Sequence, residues 1–154
     1  MEFKELMTGF ASKLGIVGLD VDEERTFLEI DGMKVEVFQD EKANTMMLCG
    51  IVGDGPAEET PRWNALLLQA NFLFLETSGA TLAQNPETKQ YILERALPLE
   101  SLDVPGLIVA MESFVNQLER WKAMLEDFCP FRGTAEKALQ EMDAIPVGSG
   151  FIRA

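Results

Sequence analysis

The chain has 154 residues, with 26 acidic against 13 basic side chains, no histidine and a formal charge of −13. That balance argues against binding to phosphate backbones or anionic membranes, which need basic patches, and favours solubility or a basic partner. The length fits one domain able to bury a core without staples, and 47% hydrophobic with 25% charged residues is an ordinary globular composition.

The opening MEFKELMTGF has neither a basic n-region nor a long apolar h-region, so it does not read as a secretory signal. From Glu2 to Leu14, apolar residues fall at Phe3, Leu6, Met7, Phe10 and Leu14, the spacing of one helix face, and Gly15 and Gly18 stop the helix. An acidic connector, Asp20 to Glu24, follows. Thr26 to Ile30 and Met33 to Phe38 are short alternating runs around Asp31-Gly32, a hairpin-turn signal. After a polar turn at Asp40 to Asn44, the run Thr45 to Val52 is apolar on both faces, which predicts a strand that is central or covered on both sides.

Glycines and Pro56 form a loop, and Thr60 with Pro61 opens a helix expected to run to Leu75. That helix carries Leu66, Leu67, Leu68, Phe72, Leu73, Phe74 and Leu75 almost in a row, too apolar for a solvated surface. One face must enter the domain while another meets a partner, most simply a second copy; the Phe72 and Phe74 end is assigned to the core. Strands at Ala80–Gln84 and Lys89–Ala96 flank the turn Asn85-Pro86-Glu87-Thr88. The longest helix starts at Asp103 and Pro105 and runs to about Phe128. Leu107, Met111, Phe114, Leu118, Trp121, Leu125 and Phe128 form its buried stripe, widened by Ile108 and Val115 to suit a sheet. A short helix is expected at Ala135 to Met142. The order predicts an α+β domain with an antiparallel sheet over residues 1–130 and a tail over 131–154.

Catalytic and metal chemistry is hard to assemble from these residues. Without histidine there is no Ser-His-Asp arrangement and no common zinc site. Cys49 and Cys129 lack CxxC spacing, and Cys49 sits in an apolar run as a small hydrophobe, consistent with a reducing cytoplasm. Asp20, Asp22 and Glu24 imitate a calcium loop, but Arg25 and Asp31 stand where that loop needs Gly and Glu. Gly50, Gly53 and Gly55 give neither a dinucleotide nor a P-loop motif. Neither an enzyme, a metal site nor a cofactor is expected, and no apolar run approaches the ~20 residues that span a bilayer.

Leu67-Leu68-Gln69-Ala70-Asn71, the Asn85-Pro86-Glu87-Thr88 turn, Leu97-Pro98-Leu99, and Phe114-Val115 with Trp121 occur in an order that resembles the class I type III secretion chaperones, the CesT/Tir chaperone family. The resemblance spans about Phe3 to Phe128 and is densest from Pro61 to Trp121. It implies a cytoplasmic homodimer of α-β-β-β-α-β-β-α protomers, each with a twisted antiparallel sheet packed by helices. Such dimers hold an extended N-terminal segment of a secreted effector in an export-competent state, without ATP or cofactor. Carried onto this chain, the dimer contact involves Trp63, Leu66, Leu67, Ala70 and Tyr91. The effector groove involves Phe3, Leu6, Phe10, Leu28, Val35, Val37 and Leu48, and Met7, Met33, Met46 and Met47 offer an adaptable lining. An alternative is an acidic cytosolic regulator, or nucleic-acid mimic, that binds a basic protein. A complex that dissociates between low and physiological salt marks the mimic, and one that persists in high salt marks apolar binding.

Overall fold

The structure is a computed structural model describing residues 2–128 apart from 23, 57 and 59; the expected helix at 135–142 and the 131–154 tail lie outside the described residues. Helix α1 (Phe3–Leu14) begins at a reciprocal capping box between Glu2 and Glu5 and ends on Gly15, whose φ of 68° suits a residue without a Cβ. Phe3, Leu6, Met7 and Phe10 form its buried stripe.

Strands β1 (Arg25–Ile30), β2 (Met33–Asp40) and β3 (Thr45–Asp54) make an antiparallel meander. Asp31 and Gly32 both have positive φ, as a two-residue hairpin turn with right-handed strand twist requires. At the next turn Asp40 Oδ1 accepts the N–H groups of Lys42 and Ala43 at 3.0 and 3.2 Å. Strands β4 (Thr81–Gln84) and β5 (Gln90–Pro98) are joined through Asn85, whose Oδ1 accepts from the Glu87 and Thr88 N–H groups. Strand β5 pairs with β3, giving the antiparallel order β1-β2-β3-β5-β4. Strand β3 is central, as one of the two expectations for it had it.

Helix α2 (Thr60–Ala70) is shorter than its apolar content suggests. A single 3₁₀ turn follows at Phe72–Phe74, where Leu73 and Phe74 take φ of 53° and 56°. The side chain of Asn71 accounts for this break. Its Nδ2 donates to the Leu82 carbonyl and its Oδ1 accepts the Leu82 N–H, both at 2.9 Å. The amide thus pairs with the outer side of β4 as a neighbouring strand would.

Helix α3 (Val104–Phe128) starts at Asp103, whose Oδ1 accepts the Gly106 N–H at 2.8 Å. Six residues of the predicted stripe, Leu107 to Leu125, are buried, with Val115 and Ala110 widening it. It lies on β3 at Gly50, where a Cβ would stand 2.4 Å from Leu118 Cδ2; the missing side chain lets the helix approach. All three helices pack on one face of the sheet, against Leu28, Val35, Val37, Met46, Leu48, Leu82, Leu93 and Leu97. This is the α-β-β-β-α-β-β-α order with an antiparallel sheet expected from the sequence.

Trp63 joins the layers. Its ring centroid lies 6.1 Å from Tyr91 on β5, 6.3 Å from Trp121 and 5.2 Å from Phe128 on α3, and it is fully buried. Trp63→Ala is expected to lower stability by about 3–5 kcal/mol, read as a shifted urea midpoint at unchanged slope.

Candidate functional site

Strand side chains alternate between faces, so helices on one side leave the other side bare among the described residues. Register fixes what stands there. Arg25, Phe38, Met47 and Ala96 form one row across β1, β2, β3 and β5. The next row is Phe27, Glu36, Cys49, Glu94 and Thr81. Beyond it, Glu29 pairs with Lys34, and Ile51 lines up with Ile92 and Ala83. None of these residues is buried, and Phe27 and Ile51 are 66% and 52% exposed.

The charges on this face are partly internal. Arg25 Nε lies 3.2 Å from Glu36 Oε1, and its guanidinium sits 5.7 Å from the Phe38 ring centroid. Burial, then the Glu36 and Glu94 carboxylates flanking it in register, push the Cys49 thiol up to about 11. At neutral pH the thiol is therefore uncharged and adds to the apolar area.

The two sheet edges differ. Strand β4 has Asn71 bonded to Leu82 along its outer side. Strand β1 pairs only with β2 among the described residues; on its outer side the Arg25 carbonyl accepts the Asp22 N–H at 3.1 Å, and the main-chain groups of Phe27 and Glu29 face outward without a strand partner. A strand added there would lie beside Phe27.

A second apolar surface lies at the end of α2. Leu68, Phe72, Leu73, Phe74 and Leu75 are 51–73% exposed. In the turn after α2, Leu73 and Phe74 are held in a left-handed conformation costing roughly 1–2 kcal/mol per residue. The turn is tied to α3 by Arg120 Nη2–Glu76 Oε2 at 2.7 Å and by Gln117 Nε2 donating to Ser78 Oγ at 3.1 Å. Strain maintained to keep apolar side chains in water points to a contact surface.

The structure locates the sequence-predicted residues as follows. Phe3, Leu6, Phe10, Leu28, Val35, Val37 and Leu48 all lie in the core of the chain, beneath the sheet rather than on its bare face. Met7 and Met46 join them, whereas Met47 stands on the bare face. Trp63, Leu67, Ala70 and Tyr91 are likewise buried, and Leu66 is half-buried. The Tyr91 hydroxyl donates to Asn64 Oδ1, and burial raises its pKa despite that bond. Phe72 and Phe74, assigned to the core, are exposed instead, because the helix stops before them. Sequence reasoning missed Phe27, Phe38, Ile51 and Ile92. Their alternation was readable, but which face the helices cover was not. Among the described residues no cluster of three potential metal ligands occurs, and no helix is long and apolar enough to cross a membrane.

Comparison with known proteins identifies this architecture. Residues 5–122 match the model of the Tir chaperone protein (CesT) family, so the chain belongs to that family. No curated protein sequence matches it. Among solved structures, it is similar to a chain of the HopA1–SchA chaperone–effector complex at 22% identity and a TM-score of 0.66. That match covers 79% of this chain and 93% of the other. A chain of the ExsC–ExsE complex matches at 18% identity and a TM-score of 0.66, covering 81% and 97%. A chain of the heterodimeric ExoU–SpcU complex from the type III secretion system of Pseudomonas aeruginosa matches at 18% identity and a TM-score of 0.63, covering 78% and 97%. At such identities the likeness is one of fold.

The Cys49 environment has a measurable consequence. In a Cys129→Ser background, iodoacetamide should alkylate the folded chain on the order of a hundredfold more slowly than the unfolded chain at about pH 8, with Glu36→Gln and Glu94→Gln each speeding it. Because the folded pKa exceeds the ordinary 9.0, the associated stability is complete below that pH and is lost as pH rises through about 11.

Proposed function

We propose that this member of the Tir chaperone family is a homodimeric type III secretion chaperone. It holds an extended segment of a secreted effector on the bare face and open β1 edge of its sheet, in the cytoplasm and without ATP. The observation that carries this reading is the uncovered face itself, with Phe27, Phe38, Met47, Ile51 and Ile92 unburied beside an unpaired strand edge. An extended peptide gains main-chain hydrogen bonds at such an edge, while alternate side chains settle among the apolar groups. The segment so held stays unfolded, because its apolar residues are engaged one by one and not with each other. The chaperone–effector complex among its fold relatives supports this direction.

The dimer seam is read from the end of α2. Leu68 and the Phe72–Leu75 turn offer the apolar side chains, with half-buried Leu66 behind them. Trp63, Leu67, Ala70 and Tyr91 then shape the seam from beneath by fixing where α2 lies. The buried groove candidates have the same supporting role, since they set the position of the strands whose other face receives the effector.

Two variants separate these surfaces. Leu73→Asp should convert the dimer to monomer in sedimentation velocity while the circular-dichroism spectrum stays folded; an unchanged dimer would remove the turn from the seam. Ile51→Asp should weaken capture of effector segments from the native cell by more than about tenfold and leave the melting temperature within a few degrees. The protected segment is read by limited proteolysis and mass spectrometry. Capture unaffected by Ile51→Asp would sink the assignment of the bare sheet face.

A further inference from the structure

On the helix side of the sheet, a groove of about 570 Å³ runs between the end of β5, the turn after it and the first half of α3. Its walls are mainly apolar, with Leu97, Leu102 and Val109 among them, and Val109 is 67% exposed. Its polar side chains are Arg95, Ser101 and Ser113. Among the described residues no carboxylate lines it, in a chain with twice as many acidic as basic residues. The acidic surface is interrupted here by a cation and two hydroxyls set among hydrocarbon.

Arg95 is half-buried and has no carboxylate partner among the described residues, whereas Arg25 and Arg120 each have one. Its guanidinium lies near Gly79, where an added Cβ would stand 3.7 Å from Nη2. The strand holds its stem in line with buried Leu93 and Leu97, so the cation is positioned by the fold and not swept freely through solvent. A guanidinium in this setting forms its strongest contacts with a carboxylate, which it binds through two parallel N–H groups. The volume accommodates several side chains, well beyond a lone ion.

We propose that this groove binds a short apolar segment of a partner protein carrying an Asp or Glu, with the carboxylate on Arg95 and the flanking apolar side chains against Leu97, Leu102 and Val109. Ser101 and Ser113 supply further donors at the walls. The surface lies on the helix side of the sheet, so it is separate from the bare face proposed to take the effector. It gives the protein a second specificity, for acidic-apolar segments, that operates while the first surface is occupied.

The test pans random phage-displayed dodecapeptides on the full-length protein, with consensus peptides then synthesised and measured by fluorescence anisotropy. The expected consensus places an acidic residue beside two or more apolar ones, and replacing that residue by its amide weakens binding about tenfold or more. Val109→Asp, at an exposed position that leaves the core intact, should abolish binding. Arg95→Gln should remove the preference for acid over amide, with Arg95→Lys retaining part of it. Ile51→Asp should leave this binding unchanged, even if it abolishes effector capture. Equal affinity for acid and amide on the unmodified protein would overturn the proposal, as would binding insensitive to Val109→Asp. It would also fail if a synthetic peptide of residues 131–154 displaced the consensus peptide, making the occupant part of this chain. A change in oligomeric state on Val109→Asp would assign the groove to a second copy, with the same result.

Discussion

The seat of α3 on β3 is the contact on which the other elements depend. Gly50 has no side chain, so Leu118 enters the space and the helix lies close against the central strand. From that position α3 meets α1, where Val104 approaches Gly9 so closely that a Cβ there would stand 2.7 Å from its Cγ2. It meets α2 through Trp121 and Trp63, and it ties down the 72–79 turn through Arg120 and Gln117. One helix therefore positions both the layer that covers the sheet and the turn that projects from it. Nothing in the described residues plays the same part on the opposite face.

That asymmetry separates buried from outward-facing residues along each strand. In β3, Met46 and Leu48 hold the fold, while Met47, Cys49 and Ile51 face outward. Substitutions at the second set have little effect on the core, because the strand is already anchored from its other side. A thiol that stays protonated at the centre of this face keeps it apolar between the glutamates of the neighbouring strands. Membership of the Tir chaperone family fits a fold whose outward faces can vary while its inner packing stays the same.

Much of the fold was legible because it rests on local periodicity. The α3 stripe from Leu107 to Leu125 recurs at helical spacing, and Asp31-Gly32 and Asn85 carry turn chemistry in their own side chains and backbones. The end of α2 was not legible, since it depends on Asn71 reaching Leu82, eleven residues further on in sequence. Leucine and phenylalanine give no warning of positive φ, so Leu73 and Phe74 read as more helix. The candidate site suffered from a related ambiguity. An apolar stripe on α1 or alternation in β2 states that one side avoids water, but only the tertiary arrangement says whether helix or partner removes it. Phe3, Leu6 and Phe10 proved to be core for that reason.

The unlike edges of the sheet also bear on solubility at high concentration. A sheet open on both sides can polymerise, each molecule receiving a strand on one flank and donating on the other. Here the Asn71 amide already occupies the backbone groups of Leu82 on the short β4 flank. Stacking from β1 of one molecule to β4 of the next would first have to break those two bonds. Joining β1 to β1 would consume both available flanks and end the assembly at two molecules. The exposed edge at β1 is thus matched by a chain terminator on the other side, which keeps that exposure from propagating into a filament.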